Sequence, residues 1–370
     1  MPSAELAPAG QPGLTADALL AGPRGRSLCL HLLDDRLAAP GRLARRAWLD
    51  ALSAARSGDA KRCARKLSKC TAIADLPGLP FDGTALLAGL VAAVDLASSC
   101  EEPDAEDQGF ADEPAREALR PVALAVAVAA AGLPDMRWWT EPVNGSRQRY
   151  TQFLDDYSSP EPRLTGAARL VRAWLADTRA DERSAHDRPD DPGPYSGQWW
   201  SSPAHSGLPV TTRGLPSLGA AGLTLVEHGL RGHSARCWPV APQDGASVYE
   251  VCGPGQWAEL VDRYPLDVSK SRRHHWRRTT GRAGCWLIPD YAAVAEDWDG
   301  IHVSVAGYLT TAGIAIPADG SASTMLACWD PDATWWLNDV LSFTSPPEDW
   351  REDDFRWTRL PNPAGTVTYN

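Results

Sequence analysis

The spacing of apolar residues changes near residue 185, and that change limits the folds open to this chain. Before it, apolar residues recur every three or four positions, the signature of helices with one buried face. GRLARRAWLDALSAA sets Leu43, Ala47, Trp48 and Leu52 on one side, with its arginines elsewhere. DGTALLAGLVAAVDLASS opens at Asp82, a residue type that caps helices by accepting from free amides, and is expected to bury Leu86, Leu90, Val94 and Leu96 or their neighbours. EPAREALRPVALAVAVAAAGL and TGAARLVRAWLADTRADERS continue the pattern, which predicts an all-helical domain over 14–185 after a flexible start, 1–13.

DERSAHDRPDDPGPYSG (181–197) is charged and rich in Pro and Gly, so 186–197 reads as a linker. Beyond it ARCWPVA, SVYEV, CWLI, IHVSVAGY, GIAIP, STMLACW and TWWL read as short strands. Two amphipathic helices sit among them: Trp257, Leu260, Val261 and Tyr264 share one face, and Tyr291, Val294, Ala295 and Trp298 another. The expected fold class is α+β, an N-terminal all-α domain followed by a mixed domain over 198–342. The acidic, Pro-containing stretch 343–370 reads as a tail on the surface. At 370 residues the chain exceeds what one core ordinarily organises, which agrees with two domains.

A formal charge of −11 argues against general nucleic-acid binding, because an acidic surface repels phosphates. The eight cysteines are scattered with no C-x-x-C and read as reduced core thiols of a cytoplasmic protein. The opening MPSAELAPAGQPG lacks the order of a signal peptide, and the most apolar run, VALAVAVAAAGL (122–133), is too short to span a bilayer. Sixteen tryptophans against five phenylalanines suit cores, ligand walls and interfaces alike.

Any anion site must therefore be a local reversal of sign, and KSRRHHWRRTTGR (270–282) is the sharpest one. Lys270, Arg272, Arg273, Arg277, Arg278 and Arg282 put six positive charges into thirteen residues. Read as a loop, the segment would grip a phosphorylated small molecule or nucleotide through paired guanidinium N–H donors, with Trp276, Thr279 and Thr280 adding contacts. The bland alternative is a basic loop neutralised by the chain's own acids, such as EDWREDD.

DGIHVSVAGY (299–308) alternates as a strand, with Ile301, Val303 and Val305 on one side and His302 and Ser304 on the other. The segment resembles the last block of the SGNH (GDSL) hydrolases, in which an aspartate orients a histidine that activates a serine. That resemblance implies an esterase-like use of Asp299 and His302. The family's Gly-Asp-Ser block is missing, since the upstream Gly58-Asp59-Ala60 has no hydroxyl, and a base without a nucleophile makes no acyl enzyme. Asp299 then reads as a turn residue.

The order GQWWSSP, SVYEV, DYAAVAEDWDGIHVS, CWDPDATWWL resembles ADP-ribosyltransferase-like domains over residues 195–342. The resemblance implies NAD as cofactor, Trp200, Ser201 and Ser202 at its nicotinamide end, and Asp330 or Asp332 opposing charge at the ribosyl centre. The basic segment would then hold the pyrophosphate through Arg272, Arg273, Arg277 and Arg278. The chain departs from the pattern in having Asp rather than Glu, and Arg213 follows the serines where the family's opening motif precedes them.

Three readings stay open: an NAD- or nucleotide-using transferase, a non-catalytic protein that binds an anionic ligand while its helical part meets a protein partner, and a hydrolase using His302. No metal is expected, because His228, His233 and Cys237 lack a completing pair. In SVYEV only one of Tyr249 and Glu250 can point inward, and Glu227 reads as a solvated element end.

Overall fold

The computed structural model describes residues 13–38, 42–74, 81–97, 103, 105–154, 162–189, 197–216, 218–227, 232–354 and 356–361. Helices come first: α1 (Ala16–Ala21), α2 (Pro23–Ala38), α3 (Arg42–Arg56), α4 (Ala60–Ala74), α5 (Gly83–Asp95), α6 (Ala105–Ala111) and α7 (Glu113–Gly132). Asp82 caps α5 as its residue type predicts, its Oδ1 accepting from the Ala85 amide at 2.8 Å. Leu86, Leu90 and Val94 are buried on that helix. On α3 the buried face is Ala44, Trp48, Ala51 and Ala55, and Leu43 of the expected face is 82% exposed. Alanines on the contact face let neighbouring α4 lie close, and that packing outweighs the larger leucine. No described helix is long and apolar enough to cross a membrane.

The stretch 14–185 is not all helical. β1 (Gln148–Phe153) lies within it, ahead of α8 (Ala167–Ser184), and corrects that expectation. QRYTQF holds too few apolar residues for alternation to show, and its place is set by hydrogen bonds to strands on both sides.

The second part contains β2 (Val210–Leu215), β3 (Gly219–Ala220), α9 (Ala221–Thr224), β4 (Ser234–Pro242), β5 (Val248–Val251), α10 (Pro254–Arg263), β6 (Pro265–Asp267) and α11 (Ser269–Thr280). It continues with β7 (Leu287–Pro289), α12 (Tyr291–Asp297), β8 (Gly300–Val303), α13 (Val305–Thr311), β9 (Ile316–Pro317) and β10 (Ser323–Thr324). Last come β11 (Ala333–Trp336), β12 (Leu341–Phe343), β13 (Glu348–Asp353) and β14 (Arg356–Arg359). The α+β class holds, a helical region followed by a region built on a mixed sheet. The main sheet runs β14-β13-β4-β1-β2-β11-β8-β5, with β12 also on β4 and β3 on β2. Its neighbours are antiparallel except β5 and β8.

Three further expectations change. The basic segment is not a loop but α11, ended by Gly281 in the left-handed region at φ 73. Its buried face is Ser271, Arg272, His274, His275 and Trp276, so no apolar period betrays the helix. The strand through His302 stops at Val303, where Ser304 turns the chain by capping α13, its Oγ accepting from the Gly307 amide at 3.0 Å. A Cβ on Gly307 would lie 2.1 Å from the Val251 carbonyl oxygen, so only glycine lets α13 sit this close to β5. The stretch expected as a tail supplies sheet strands as far as Arg359, while 362–370 lie outside the described residues, as do 1–12 and most of the expected linker.

One continuous set of buried apolar side chains runs from Leu19 in α1 to Leu337 after β11, so helical and sheet regions share packing. Charged side chains cross the same boundary. Arg24 on α2 donates from Nε to Glu227 Oε1 at 2.8 Å, and Tyr308 on α13 donates to the same oxygen at 2.6 Å. Both members of the ion pair are buried, so Glu227 is not a solvated end. Burial opposes the Arg24 charge, but Glu227 and Tyr308 outweigh it and raise the guanidinium above its ordinary value.

Candidate functional site

Four adjacent strands gather residues that are far apart in the chain. His302 on β8 is the register partner of Glu250 on β5 and of Thr334 on β11, and Thr334 in turn faces Thr211 on β2. Paired residues share a sheet face, so this row is polar while Ile301 and Val303 of β8 enter the apolar core. Asp332 stands just before β11 and Arg213 on β2. His302 Nδ1 meets Glu250 Oε2 at 2.6 Å, and its Nε2 lies 3.5 Å from Asp332 Oδ1. Asp332 Oδ2 accepts from the Arg213 amide at 2.8 Å, with Arg213 Nε 3.4 Å from Oδ1. The structure thus brings together two of the expected catalytic residues, His302 and Asp332.

A strap covers this row. Arg213 donates to Glu141 Oε2 at 2.6 Å and to the Pro142 carbonyl at 2.9 Å, and the Val143 amide donates to Glu250 Oε1 at 2.8 Å. Charges alternate along Glu141, Arg213, Asp332, His302 and Glu250, and that alternation is how buried ions offset the loss of water. Burial pulls the imidazole pKa down, but Glu250 and Asp332 carry it up to about 9. The two carboxylates thus favour the charged imidazolium. Nδ1 lies against Glu250 and Nε2 within ion-pair distance of Asp332 but not hydrogen-bonded to it, an arrangement that opposes a role as proton acceptor.

Asp299 is not part of this set. It precedes β8, about 10 Å along an extended chain from His302, and accepts from the Ser247 amide at 2.8 Å and from Asn338 Nδ2 at 3.1 Å. Asp330 is separate as well: its Oδ1 accepts from the Glu227 amide at 2.8 Å. Ser201 pairs with the backbone of Ala327, whose amide donates to Ser201 Oγ at 2.9 Å, while Tyr291 donates to the Ser201 carbonyl at 2.7 Å. Ser202 is buried beside it. The Trp200 ring packs on His205 at 4.8 Å, and its carbonyl accepts from Arg272 Nε at 3.3 Å.

The arginines of α11 do not form one grip. Arg272 is fully buried, donating to Asp181 at 2.9 Å and to Gln198 at 2.7 Å. Burial lowers its pKa to about 10, against the pull of Asp181. Glu182 accepts from the amides of Lys270 and Ser271 at 2.7 and 2.8 Å, which caps the helix with a carboxylate where its dipole is positive. Arg273 donates to the carbonyls of Arg188 and Pro189. Arg278 lies 2.9 Å from His275 Nδ1.

The last turn differs. Arg277, Arg278, Thr279, Thr280 and Gly281 line a cleft of about 620 Å³, closed on the other side by Pro103 and by Gln108 of α6. Among the described residues no carboxylate lines it. Glu106 beside Gln108 is tied to Arg56 at 2.6 Å, and Asp107 interacts with Arg26. Arg277 is exposed and has no ion-pair partner among the described residues.

Among the described residues no group of His, Cys, Asp and Glu could hold a metal ion. His228 lies outside them, and His233 pairs with Glu352. Glu141 and Arg24 gave no signal in the sequence, and strand alternation left open whether Tyr249 or Glu250 points inward. Comparison with protein-family models, with curated proteins and with solved structures found no match to this chain.

Proposed function

We propose that this chain binds a phosphorylated small molecule at the last turn of α11, and that the row through His302 is the frame that holds the sheet and strap in place. The observation that carries this reading is the cleft of about 620 Å³ whose charged lining, among the described residues, is Arg277 and Arg278. Its size suits a nucleotide-sized ligand, given that small-molecule sites span about 300–1,000 Å³. Guanidinium groups bind phosphate oxygens through two parallel N–H donors. Basic residues near a helix C-terminus also stabilise the helix by about 0.3–1 kcal/mol, which explains their sign but not the cleft they line.

NAD belongs to this ligand class, as do ADP-ribose and free nucleotides. Transfer chemistry finds less support: Asp330 and Asp332 are already engaged by backbone amides, and the two carboxylates beside His302 favour its charged form. Calorimetric titration with NAD, ADP-ribose and pyrophosphate at low ionic strength tests the proposal. Binding should weaken as salt rises and vanish in the double variant Arg277→Glu/Arg278→Glu. Absence of heat and of any thermal shift with all three ligands at millimolar concentration would overturn it.

A further inference from the structure

We infer that the ligand of the α11 cleft is an adenine nucleotide carrying a diphosphate, with Gln108 reading the base; this rests on the phosphate-binding reading above. The cleft has two chemically distinct walls. Arg277 and Arg278 form the cationic one, Arg277 exposed and Arg278 with one N–H group against His275 Nδ1, and two neighbouring positive charges suit two linked phosphoryl groups. Gln108, facing them from α6 beside Pro103, brings a side-chain amide to the lining.

That amide has a fixed orientation. Gln108 Nε2 donates to the Pro103 carbonyl at 2.8 Å, which settles which end of the group is nitrogen. One N–H and the whole of Oε1 are left to face a ligand. A donor beside an acceptor matches adenine, whose N7 accepts and whose N6 amino group donates. The corresponding edge of guanine presents two acceptors, N7 and O6, and would set O6 against Oε1. Pro103 adds an apolar surface next to the amide, against which a base can lie.

Charge on the wall supports the same occupant. The two acids of α6 that immediately precede Gln108 are held elsewhere, Glu106 by Arg56 and Asp107 beside Arg26. Neither the arginines nor Gln108 belongs to the ionic row under the strap, so the cleft can be altered without disturbing the sheet.

The test is calorimetric titration of the full chain with ADP, GDP and pyrophosphate, in the wild type, in Gln108→Leu and in Arg277→Glu/Arg278→Glu. ADP should bind more tightly than GDP by about 5- to 150-fold, the range for one two-bond amide–adenine contact. Gln108→Leu should erase that preference and leave pyrophosphate affinity unchanged, whereas the arginine variant should lose all three ligands. Equal binding of ADP and GDP, abolished by the arginine variant, would overturn the base assignment and leave the phosphate reading standing. No binding of any of the three would remove both.

Discussion

At the first turn of α11, Glu182 holds the amides of Lys270 and Ser271, and Asp181 holds Arg272 in the interior. At the last turn, Arg277 and Arg278 look across a cleft to Gln108 and Pro103, with no acid among its described lining residues. The two ends share the same residue types and lie about 12 Å apart, eight residues at 1.5 Å each. Acids supplied by α8 fix the first end into the fold and leave the second for something from outside. A run of like charges in a sequence therefore says little about function until each cation's partner is known.

The largest effect that should distinguish the two ends is on stability. Asp181→Ala leaves the Arg272 guanidinium buried without its acid, and chemical denaturation should show a loss of about 3–5 kcal/mol. If the loss is below 1 kcal/mol, Arg272 is not fixed in the way described and the comparison fails.

His302 extends the comparison to a third cation that the fold has engaged. Its folded pKa, about 9, lies above the ordinary 6.5, so its stabilisation is fully present below pH 6.5 and is lost as pH rises through 9. Over that window stability should fall by roughly 3 kcal/mol, at 1.36 kcal/mol for each pKa unit. Thermal melts between pH 6 and 10 will show it, and His302→Gln should flatten the slope over this window.

Smaller again is the cap. Glu182→Ala should destabilise by about 1 kcal/mol, the usual value for losing a helix cap, read as a shift in the denaturant midpoint. Least of all is the open end, where Arg277→Glu should change stability by no more than about 0.5 kcal/mol while abolishing ligand binding. A large loss of stability there would mean that Arg277 has a structural partner, and the contrast between the ends would disappear.

Much of this architecture is legible in the sequence where apolar spacing carries it. The helices around Leu90 and Trp257, the Asp82 cap and the short strands of the second part all follow from periodicity and residue type. α11 does not, because its inward face is made of Arg272, Ser271 and two histidines, and a polar face has no hydrophobic period. β1 is fixed by partners that lie more than 50 residues downstream. His302 and Asp332 stand out as residue types, but their meeting depends on strand register, and their companions Glu141 and Arg213 reach them across separations no local pattern encodes. That Arg277 has no ion-pair partner among the described residues is likewise a property of where the acids of α6 and α8 end up.

β1 also decides how this molecule can be taken apart. Among the described residues β2 and β4 do not pair with each other; each pairs with β1, which comes from the helix-rich part of the chain. Excising residues 1–185 to obtain the sheet region alone would remove the central rung and leave two half-sheets with bare edges. It would also strand Glu227 in the interior without Arg24. The helices and the sheet are thus one unit of folding for any practical dissection, and a fragment ending at the composition break near 185 should aggregate through the edges it exposes.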